Sequence, residues 1–258
     1  MALTFVDYAV VGRVATLTLN RPDAMNAMHK PLRDDLVAAL GRAAADETVR
    51  VVVLRGAGRC FTAGPDLKEV TESPCLYDLI EEDYRRIYDA ILRCPKPVMA
   101  AVHGASAGVG ASITLACDLV LMAEGSYLFL AFANMGLIPD GGICWQLART
   151  LGPKRAFQLI AEAAKIPAAD CVAWGLANRL VAEERLFDEA QAWAESLAEA
   201  APLPLKYAKQ VLDQAMRADY LDTMRFESAI QQLLYKTEDS REAIRAFFEK
   251  RKPSFRGR

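Results

Sequence analysis

The sequence predicts an α/β fold followed by a mostly helical C-terminal region. Apolar segments of strand length occur at residues 49–55, 98–102 and 119–123, and segments with helical periodicity separate them. Strands and helices that follow one another in this repeating way are typical of α/β domains. Beyond Pro153 nearly every segment has the pattern of a helix, so the predicted architecture changes there.

The first segment predicts a β-hairpin. Residues 5–11 and 14–19 alternate or run apolar on either side of Gly12 and Arg13, which is the pattern of two strands joined by a tight turn. A loop after Asn20 leads to the first predicted helix. The hairpin therefore precedes the first of the buried strands.

The remaining helices follow from apolar periodicity. An amphipathic helix with an acidic face is predicted at residues 77–93, and a helix after a glycine turn at residues 143–151. The helices predicted beyond Pro153 cover residues 154–164, 168–174, 186–200, 204–218 and 220–234, and a basic helix is predicted for the tail, 241–258.

Residues 97–118 form the central stretch of the sequence. A short apolar strand runs directly into a loop with Gly104, Gly108 and Gly110, and a run of small residues continues to Cys117. Glycine allows backbone to approach a ligand closely, and the N–H groups at a helix start stabilise an oxyanion. The alternative is a helix whose small residues serve only to pack closely on a sheet.

Composition excludes several classes of function. The 258 residues suit one large domain, alone or with an appendage, and 53% hydrophobic content supplies a sizeable core. The net charge is −2, and acidic and basic residues are interspersed, so the sequence does not predict a basic surface for nucleic-acid binding. No apolar run has the length of a membrane span, and residues 1–8 lack the features of a signal peptide.

The cysteines and histidines predict a cytoplasmic protein without a metal site. Six cysteines are scattered with no Cys-x-x-Cys pair, which is typical of reduced thiols. Only His29 and His103 could add imidazole ligands, which argues against zinc.

Five motifs then occur in a defined order. They are Asn20-Arg21-Pro22 with Asn26-Ala27, Gly58-Arg59-Cys60-Phe61-Thr62-Ala63-Gly64-Pro65-Asp66-Leu67-Lys68, residues 103–118 from His103-Gly104 to Cys117-Asp118, Gly136-Leu137-Ile138-Pro139-Asp140-Gly141-Gly142, and residues 246–253. Their order and spacing resemble the crotonase superfamily, the enoyl-CoA hydratases and isomerases, over essentially the whole chain.

This resemblance implies a fold, an assembly and a ligand. It implies a spiral of ββα units at residues 1–195 that binds acyl-CoA, and a C-terminal helical region at residues 196–258 used for trimerisation. We therefore expect a homo-oligomer, either a trimer or a dimer of trimers. Coenzyme A would arrive as part of the substrate, with no permanently bound cofactor and no metal.

The resemblance also implies that two backbone N–H groups hold the thioester oxygen and stabilise an enolate. One falls on Val109, which can donate. The other falls on Pro65, which has no N–H, so this sequence departs from the pattern. The alternatives are that the Asp66 N–H or a water replaces that donor, or that the loop is displaced. The remaining substrate-binding positions implied are Ala24, Met25, Ala63, Gly64, Asp66, Leu67, Gly108, Phe132 and Trp145, with Phe248 and Lys252 of a neighbouring subunit meeting the CoA.

The two carboxylates of a hydratase are missing at the matching positions. The first position is Ser112 and the second is Phe132, and neither side chain can activate water at neutral pH. Asp140 stands where several isomerases of the superfamily carry a single catalytic carboxylate. One group suffices to move a proton between two carbons, so the pattern favours an isomerase.

Three alternatives remain open from the sequence. Asp140 could be the N-cap of the following helix, which would lower its pKa instead of raising it. The protein could be an enoyl-CoA hydratase that uses an unidentified acid, or a non-catalytic CoA-binding protein. Phe132 and Trp145 could belong to the hydrophobic core and not to an acyl pocket.

Overall fold

The computed structural model describes residues 3–258, and a six-stranded mixed sheet lies at the centre of that part of the chain. Its strand order is β1-β2-β3-β4-β6-β9, with β1 and β2 antiparallel and the other neighbours parallel. A three-stranded sheet, in the order β5-β7-β8, lies beside it. The strands are β1 Val6–Val11, β2 Val14–Leu19, β3 Val51–Gly56, β4 Val98–Val102, β5 Ala105–Ala107, β6 Leu119–Ala123, β7 Tyr127–Phe129, β8 Lys165–Pro167 and β9 Arg179–Val181.

Helices follow most of the parallel strands, as the repeating pattern predicts. A π-helical turn, Leu79–Tyr84, joins α3 to α4 without a break. The α-helices are α1 Lys30–Ala45, α2 Leu67–Glu72, α3 Leu76–Asp78, α4 Arg85–Leu92, α5 Val109–Ala116, α6 Ile143–Leu151, α7 Pro153–Ala161, α8 Ala168–Ala173, α9 Leu186–Ala198, α10 Pro202–Ala215, α11 Tyr220–Tyr235 and α12 Glu238–Glu249.

The core lies on both faces of the central sheet, and β3 shows why its sequence is almost continuously apolar. Val52 and Leu54 pack in one hydrophobic cluster with α1, α4 and α5. Val51 and Val53 point the other way, into a second cluster with α9. Successive strand residues face opposite sides, so a strand covered on both sides needs apolar residues at every position.

Two strands lie where the sequence predicts almost only helices. β8 pairs with β7, and β9 pairs with β6 at the edge of the central sheet. Each has three residues, and β8 ends in a proline. Such short segments show no periodicity of their own, because pairing with distant strands decides their conformation. Both strands fall in gaps between the predicted helices, at 165–167 and 179–181, and neither was predicted.

The helix predicted for the tail, 241–258, extends too far. α12 ends at Glu249, and Lys250 adopts a left-handed conformation at φ 53°. The chain then returns towards the start of α12, where the N–H groups of Arg256 and Gly257 donate to the buried Asp239 carboxylate at 2.7 Å each. These two hydrogen bonds hold the tail in a non-helical conformation.

The division at residue 195 stays a prediction. α9 crosses that position, and its buried Ala194 and Ala198 pack against the central sheet. The helices beyond it leave large apolar side chains in solvent, among them Tyr220 and Phe247. Those exposed side chains are compatible with the predicted oligomer, whose subunit number stays a prediction. Over residues 3–258, no helix is both long and apolar enough to cross a membrane.

Candidate active site

The two glycine loops predicted to form the site lie side by side. Thr62 donates its N–H to the Ala105 carbonyl at 3.1 Å, and Ala107 donates back to the Thr62 carbonyl at 3.0 Å. Gly64 has φ +100°, and a Cβ there would lie 2.6 Å from the Ala107 carbonyl oxygen. Only glycine combines this backbone conformation with such a close approach. The loops are therefore packed backbone against backbone.

The pyrrolidine ring of Pro65 lies at the turn before α5. A Cβ on Gly108 would be 3.3 Å from Pro65 Cδ, which is close contact. The structure therefore places Pro65 where the sequence predicts an oxyanion donor, but with a ring instead of an N–H.

The residues on either side of Pro65 differ in their hydrogen bonds. A parallel bridge joins Pro65 to Met28, and the Met28 N–H donates to the Gly64 carbonyl at 2.8 Å. The Met28 carbonyl accepts from Arg33 at 2.7 Å and from the Tyr84 hydroxyl at 3.0 Å. Within residues 3–258 no hydrogen bond from the Asp66 N–H is formed, so this N–H stays an alternative for the missing oxyanion donor.

Val109 supplies an N–H that is available to a ligand. It is the first residue of α5, after Gly108 as the N-cap, and the residue is only 2% exposed. Within residues 3–258 the Val109 N–H has no acceptor, whereas Gly108 donates to the Phe129 carbonyl at 2.9 Å. The first N–H groups of a helix lack intrahelical partners and carry partial positive charge. A developing oxyanion fits this position.

Asp140 lies in the glycine turn before α6 and is not a helix cap. The N-cap of α6 is Gly142, and no side chain caps that end. Gly141 and Gly142 both have positive φ, and they place Asp140 two residues before the cap position. The alternative interpretation of Asp140 as an N-cap is therefore wrong.

The Asp140 carboxyl is instead a partly buried group with one unsatisfied oxygen. Its Oδ1 is buried and accepts no hydrogen bond from the part of the protein that the structure describes. Burial raises the pKa of Asp140 to about 6. A carboxylate with that pKa is mostly ionised at neutral pH and still accepts a proton readily, as a general base must.

Ser112 connects Asp140 to the oxyanion loop. Its Oγ donates to the Asp140 carbonyl at 3.1 Å, and its own N–H donates to the Gly108 carbonyl at 3.3 Å. Ser112 therefore links the backbone of Asp140 to that of Gly108, at the turn before α5. The buried serine at the first hydratase position has a structural role here.

The second hydratase position is equally unable to transfer a proton. Phe132 is buried in the main hydrophobic cluster, directly before a 3-10 turn at Ala133–Met135.

Asp66 forms an ion pair with Arg21 at 2.7 Å and caps α2 through the Lys68 N–H. The hydrogen bond from Arg21 lowers the pKa of Asp66, which makes it a poor base.

Two residues near the site escaped the sequence reasoning. Tyr88 of α4 is buried, and a Cβ on Gly141 would lie 2.3 Å from its hydroxyl oxygen. Arg33 of α1 is 1% exposed and binds Glu69 of α2 through both carboxylate oxygens, at 2.6 and 3.0 Å. A tyrosine and an arginine on otherwise apolar helix faces were the available signals.

Arg33 fixes the segment that follows Pro65. Besides Glu69 it binds Asp83 at 3.1 Å in the π-helical turn and donates to the Met28 carbonyl at 2.7 Å. Its guanidinium also lies over the Tyr84 ring. One buried cation thus joins α1, α2 and the π-helical turn beside the glycine loops.

The remaining predicted binding residues lie in two places. Ala63 donates its N–H to the Met25 carbonyl at 2.9 Å, so the loop with Ala24 and Met25 meets the first glycine loop, and Leu67 continues from it in an exposed position. Trp145 is on α6, three residues beyond the Gly142 cap, and is 43% exposed.

The predicted contacts from a neighbouring subunit lie at the C-terminal end. Phe248 is 78% exposed on α12, and Lys252 forms an ion pair with Glu199. Their contact with CoA stays a prediction. Across residues 3–258 no group of three or more His, Cys, Asp or Glu side chains could hold a metal ion.

A sequence model of the enoyl-CoA hydratase/isomerase family matches residues 10–258. The chain is 36% identical to the 1,2-epoxyphenylacetyl-CoA isomerase of Escherichia coli, over 99% of this chain and 100% of that protein. It is 33% identical to the 2,3-dehydroadipyl-CoA hydratase of the same organism, over 95% and 96% of the two chains. Similar relatives therefore include both an isomerase and a hydratase.

The fold matches solved structures over nearly the whole chain. The crystal structure of an enoyl-CoA hydratase from Bacillus anthracis superposes with a TM-score of 0.92 at 28% identity, over 99% of this chain and 100% of that one. This match confirms the α/β crotonase fold with a helical C-terminal region that the motifs imply.

Proposed function

Because this chain belongs to the enoyl-CoA hydratase/isomerase family, we propose that it is an enoyl-CoA isomerase with Asp140 as its proton carrier. In a 3-enoyl-CoA, Asp140 removes a proton from the carbon between the thioester and the double bond. The electron pair of the broken C–H bond enters the conjugated enolate. The same proton then returns to the carbon at the far end, which leaves the double bond at position 2.

The observation that carries this proposal is the state of the Asp140 carboxyl. Ser112 links the backbone of Asp140 to the oxyanion loop, and the burial of this carboxyl and its pKa of about 6 suit a base that must also give the proton back. Water addition needs a second acid–base group. Ser112 and Phe132 occupy the positions where the hydratases of the family carry carboxylates, and this supports isomerisation.

The enolate oxygen is stabilised by the Val109 N–H at the start of α5. Pro65 leaves the second donor position without an N–H. Removing one such donor costs about 100- to 1000-fold in rate in other enzymes. We therefore expect slow turnover unless a water occupies the place beside Pro65.

The proposed substrate is an acyl-CoA whose acyl group derives from a ring or an unsaturated chain. Support comes from the similarity to a 1,2-epoxyphenylacetyl-CoA isomerase and from Trp145, an aromatic side chain that is 43% exposed on the helix after the Asp140 turn. Coenzyme A enters as part of the substrate. A cytoplasmic homotrimer or hexamer, with Phe248 and Lys252 meeting the CoA of a neighbour, belongs to the same proposal.

Two assays with the purified protein test the reaction. A 3-enoyl-CoA and a 2-enoyl-CoA are supplied separately, and the conjugated thioester is followed by its ultraviolet absorbance. We expect isomerisation of the first to exceed hydration of the second. Faster hydration would make the protein a hydratase. Binding of acyl-CoA without turnover of either compound would support a non-catalytic CoA-binding protein.

A further inference from the structure

Two buried polar atoms beside the Asp140 turn have no hydrogen-bond partner among residues 3–258. One is the hydroxyl oxygen of Tyr88 and the other is Asp140 Oδ1. Tyr88 is 9% exposed, so little bulk water reaches its hydroxyl. Buried polar groups in folded proteins nearly always have a hydrogen-bond partner, protein or water. A donor and an acceptor left unpaired at the same place call for an explanation.

The backbone between them is built for close approach. A Cβ on Gly141 would lie 2.3 Å from the Tyr88 hydroxyl and 2.7 Å from Ser112 Cβ. Any side chain at position 141 would therefore collide with the Tyr88 hydroxyl, and only glycine lets this hydroxyl lie so close to the backbone at Gly141. Ser112 fixes the same peptide from the other side, through its 3.1 Å hydrogen bond to the Asp140 carbonyl.

We propose that Tyr88 is a positioning residue for Asp140, and that its hydroxyl donates to Oδ1 through one bridging water. With Oδ1 held, Oδ2 becomes the oxygen that carries the proton between the two substrate carbons. The catalytic half of this inference rests on the proposed isomerase function. The hydrogen bond itself does not.

Other groups around Asp140 do not compete for this role. Tyr84, one helical turn before Tyr88, already donates to the Met28 carbonyl at 3.0 Å. α5 contains no titratable side chain, and on α6 the Cys144 thiol is directed to the Pro139 carbonyl. Burial raises the pKa of Tyr88 and the negative charge of Asp140 adds to that rise, while the nearby Ser112 hydroxyl lowers it. The Ser112 hydroxyl itself donates to the Asp140 carbonyl.

The test measures the titration of Asp140 directly. Protein labelled with ¹³C at aspartate carboxyl carbons is titrated by NMR, and Asp140→Asn identifies the signal. Tyr88→Phe keeps the ring but removes the donor, so the ionised carboxylate loses a charge-assisted hydrogen bond. We expect the acid dissociation constant of Asp140 to fall about tenfold. The acid limb of the isomerisation rate should move to higher pH by the same amount.

The matched control is Tyr8→Phe, which removes another buried hydroxyl, unpaired within residues 3–258, whose charged neighbours are Arg42 and Asp46 and not Asp140. It should leave the Asp140 titration unchanged. An Asp140 titration that is the same in Tyr88→Phe as in the wild type would overturn the proposal. The NMR titration needs no substrate. If the protein proved to have no isomerase activity, the proposed function would be contradicted, but the titration would still show whether Tyr88 hydrogen-bonds to Asp140.

A second measurement needs no variant at all. In wild-type protein labelled at the tyrosine ¹³Cζ, the Tyr88 resonance should shift with the same pH midpoint as the Asp140 carboxyl, while the Tyr8 resonance should not. A Tyr88 resonance that stays constant through the titration of Asp140 would overturn the inference, whatever happens to the stability of the Phe variant.

Discussion

The Ser112 hydroxyl donates a hydrogen bond of 3.1 Å to the backbone carbonyl of Asp140. This contact joins the central helix to the glycine turn that precedes α6. It also gives a structural role to Ser112, at a position where the resemblance to the crotonase superfamily implies a carboxylate for a hydratase. The position of the proposed base therefore depends on a residue that itself transfers no proton.

Ser112→Ala should lower kcat on a 3-enoyl-CoA about tenfold and destabilise the protein by about 1 kcal/mol, since the Asp140 carbonyl loses its donor. Steady-state kinetics and thermal denaturation measure the two effects. Ser126→Ala is the matched control, because Ser126 is buried and donates to the Ala123 carbonyl away from the site. It should cost similar stability and leave kcat unchanged. Equal kcat values for the two variants would contradict the role of Ser112.

Asp140→Asn should abolish isomerisation while acyl-CoA binding persists, because the amide keeps the shape of the carboxyl but takes no proton at neutral pH. In the wild type, kcat should fall below about pH 6 as the carboxylate becomes protonated. Kinetics over pH 5–8 and calorimetric titration with acetyl-CoA measure both. Residual isomerisation within tenfold of the wild type would rule out Asp140 as the proton carrier.

The same carboxyl should make stability depend on pH. An unfolded aspartate titrates near 3.9, whereas burial raises the folded pKa of Asp140 to about 6. The folded state therefore binds the proton more tightly, and the contribution of this group to stability is lost as pH rises from about 4 to 6. Asp140→Asn cannot ionise, so it should gain about 2 kcal/mol of unfolding free energy relative to the wild type between pH 4 and 7.5.

Urea denaturation at the two pH values checks that gain. Asp213→Asn serves as the control, because Asp213 of α10 is exposed and its carboxylate pairs with Arg217, just beyond the helix end. Its difference from the wild type should stay within about 0.5 kcal/mol at both pH values. A stability difference for Asp140→Asn that does not change with pH would show that its carboxyl titrates alike in the folded and unfolded chains.

Pro65→Ala should raise kcat by up to about 100-fold, because it places an N–H at the second oxyanion position. The comparison is made by steady-state kinetics on a 3-enoyl-CoA. Pro153→Ala, at the first position of α7, is the control for the general loss of proline rigidity. Unchanged or lower turnover in a folded Pro65 variant would mean that another group or a water already donates there.

Gly64→Ala should destabilise the protein by several kcal/mol, because its Cβ would meet the Ala107 carbonyl oxygen at 2.6 Å and φ is +100°. At Gly41 in α1 an added Cβ would meet no neighbouring atom of residues 3–258 within 4 Å. Gly41→Ala should therefore stabilise the protein by up to about 1 kcal/mol. Chemical denaturation of both variants tests the backbone contact between the glycine loops. A mild effect at Gly64 would mean that the loops can separate.

Local patterns determined most of the elements and the candidate residues. The hairpin around Gly12, the apolar β3 and the helix at Ile143–Leu151 carry their periodicity within a single short segment. The motifs around Gly64, Gly108 and Asp140 were readable for the same reason, since each is a continuous run of residues. The missing donor at Pro65 follows from the chemistry of one residue, whatever its surroundings.

Only the tertiary structure decided how those residues act on one another. β8 and β9 exist because distant strands pair with them, and neither segment has a pattern of its own. Asp140 looked equally suited to a cap or a base from its neighbours in sequence. Its burial and the approach of Ser112 and Tyr88 from two other helices distinguish these roles. A pKa depends on the solvent and charges around a group, and those are set by residues far away in the chain.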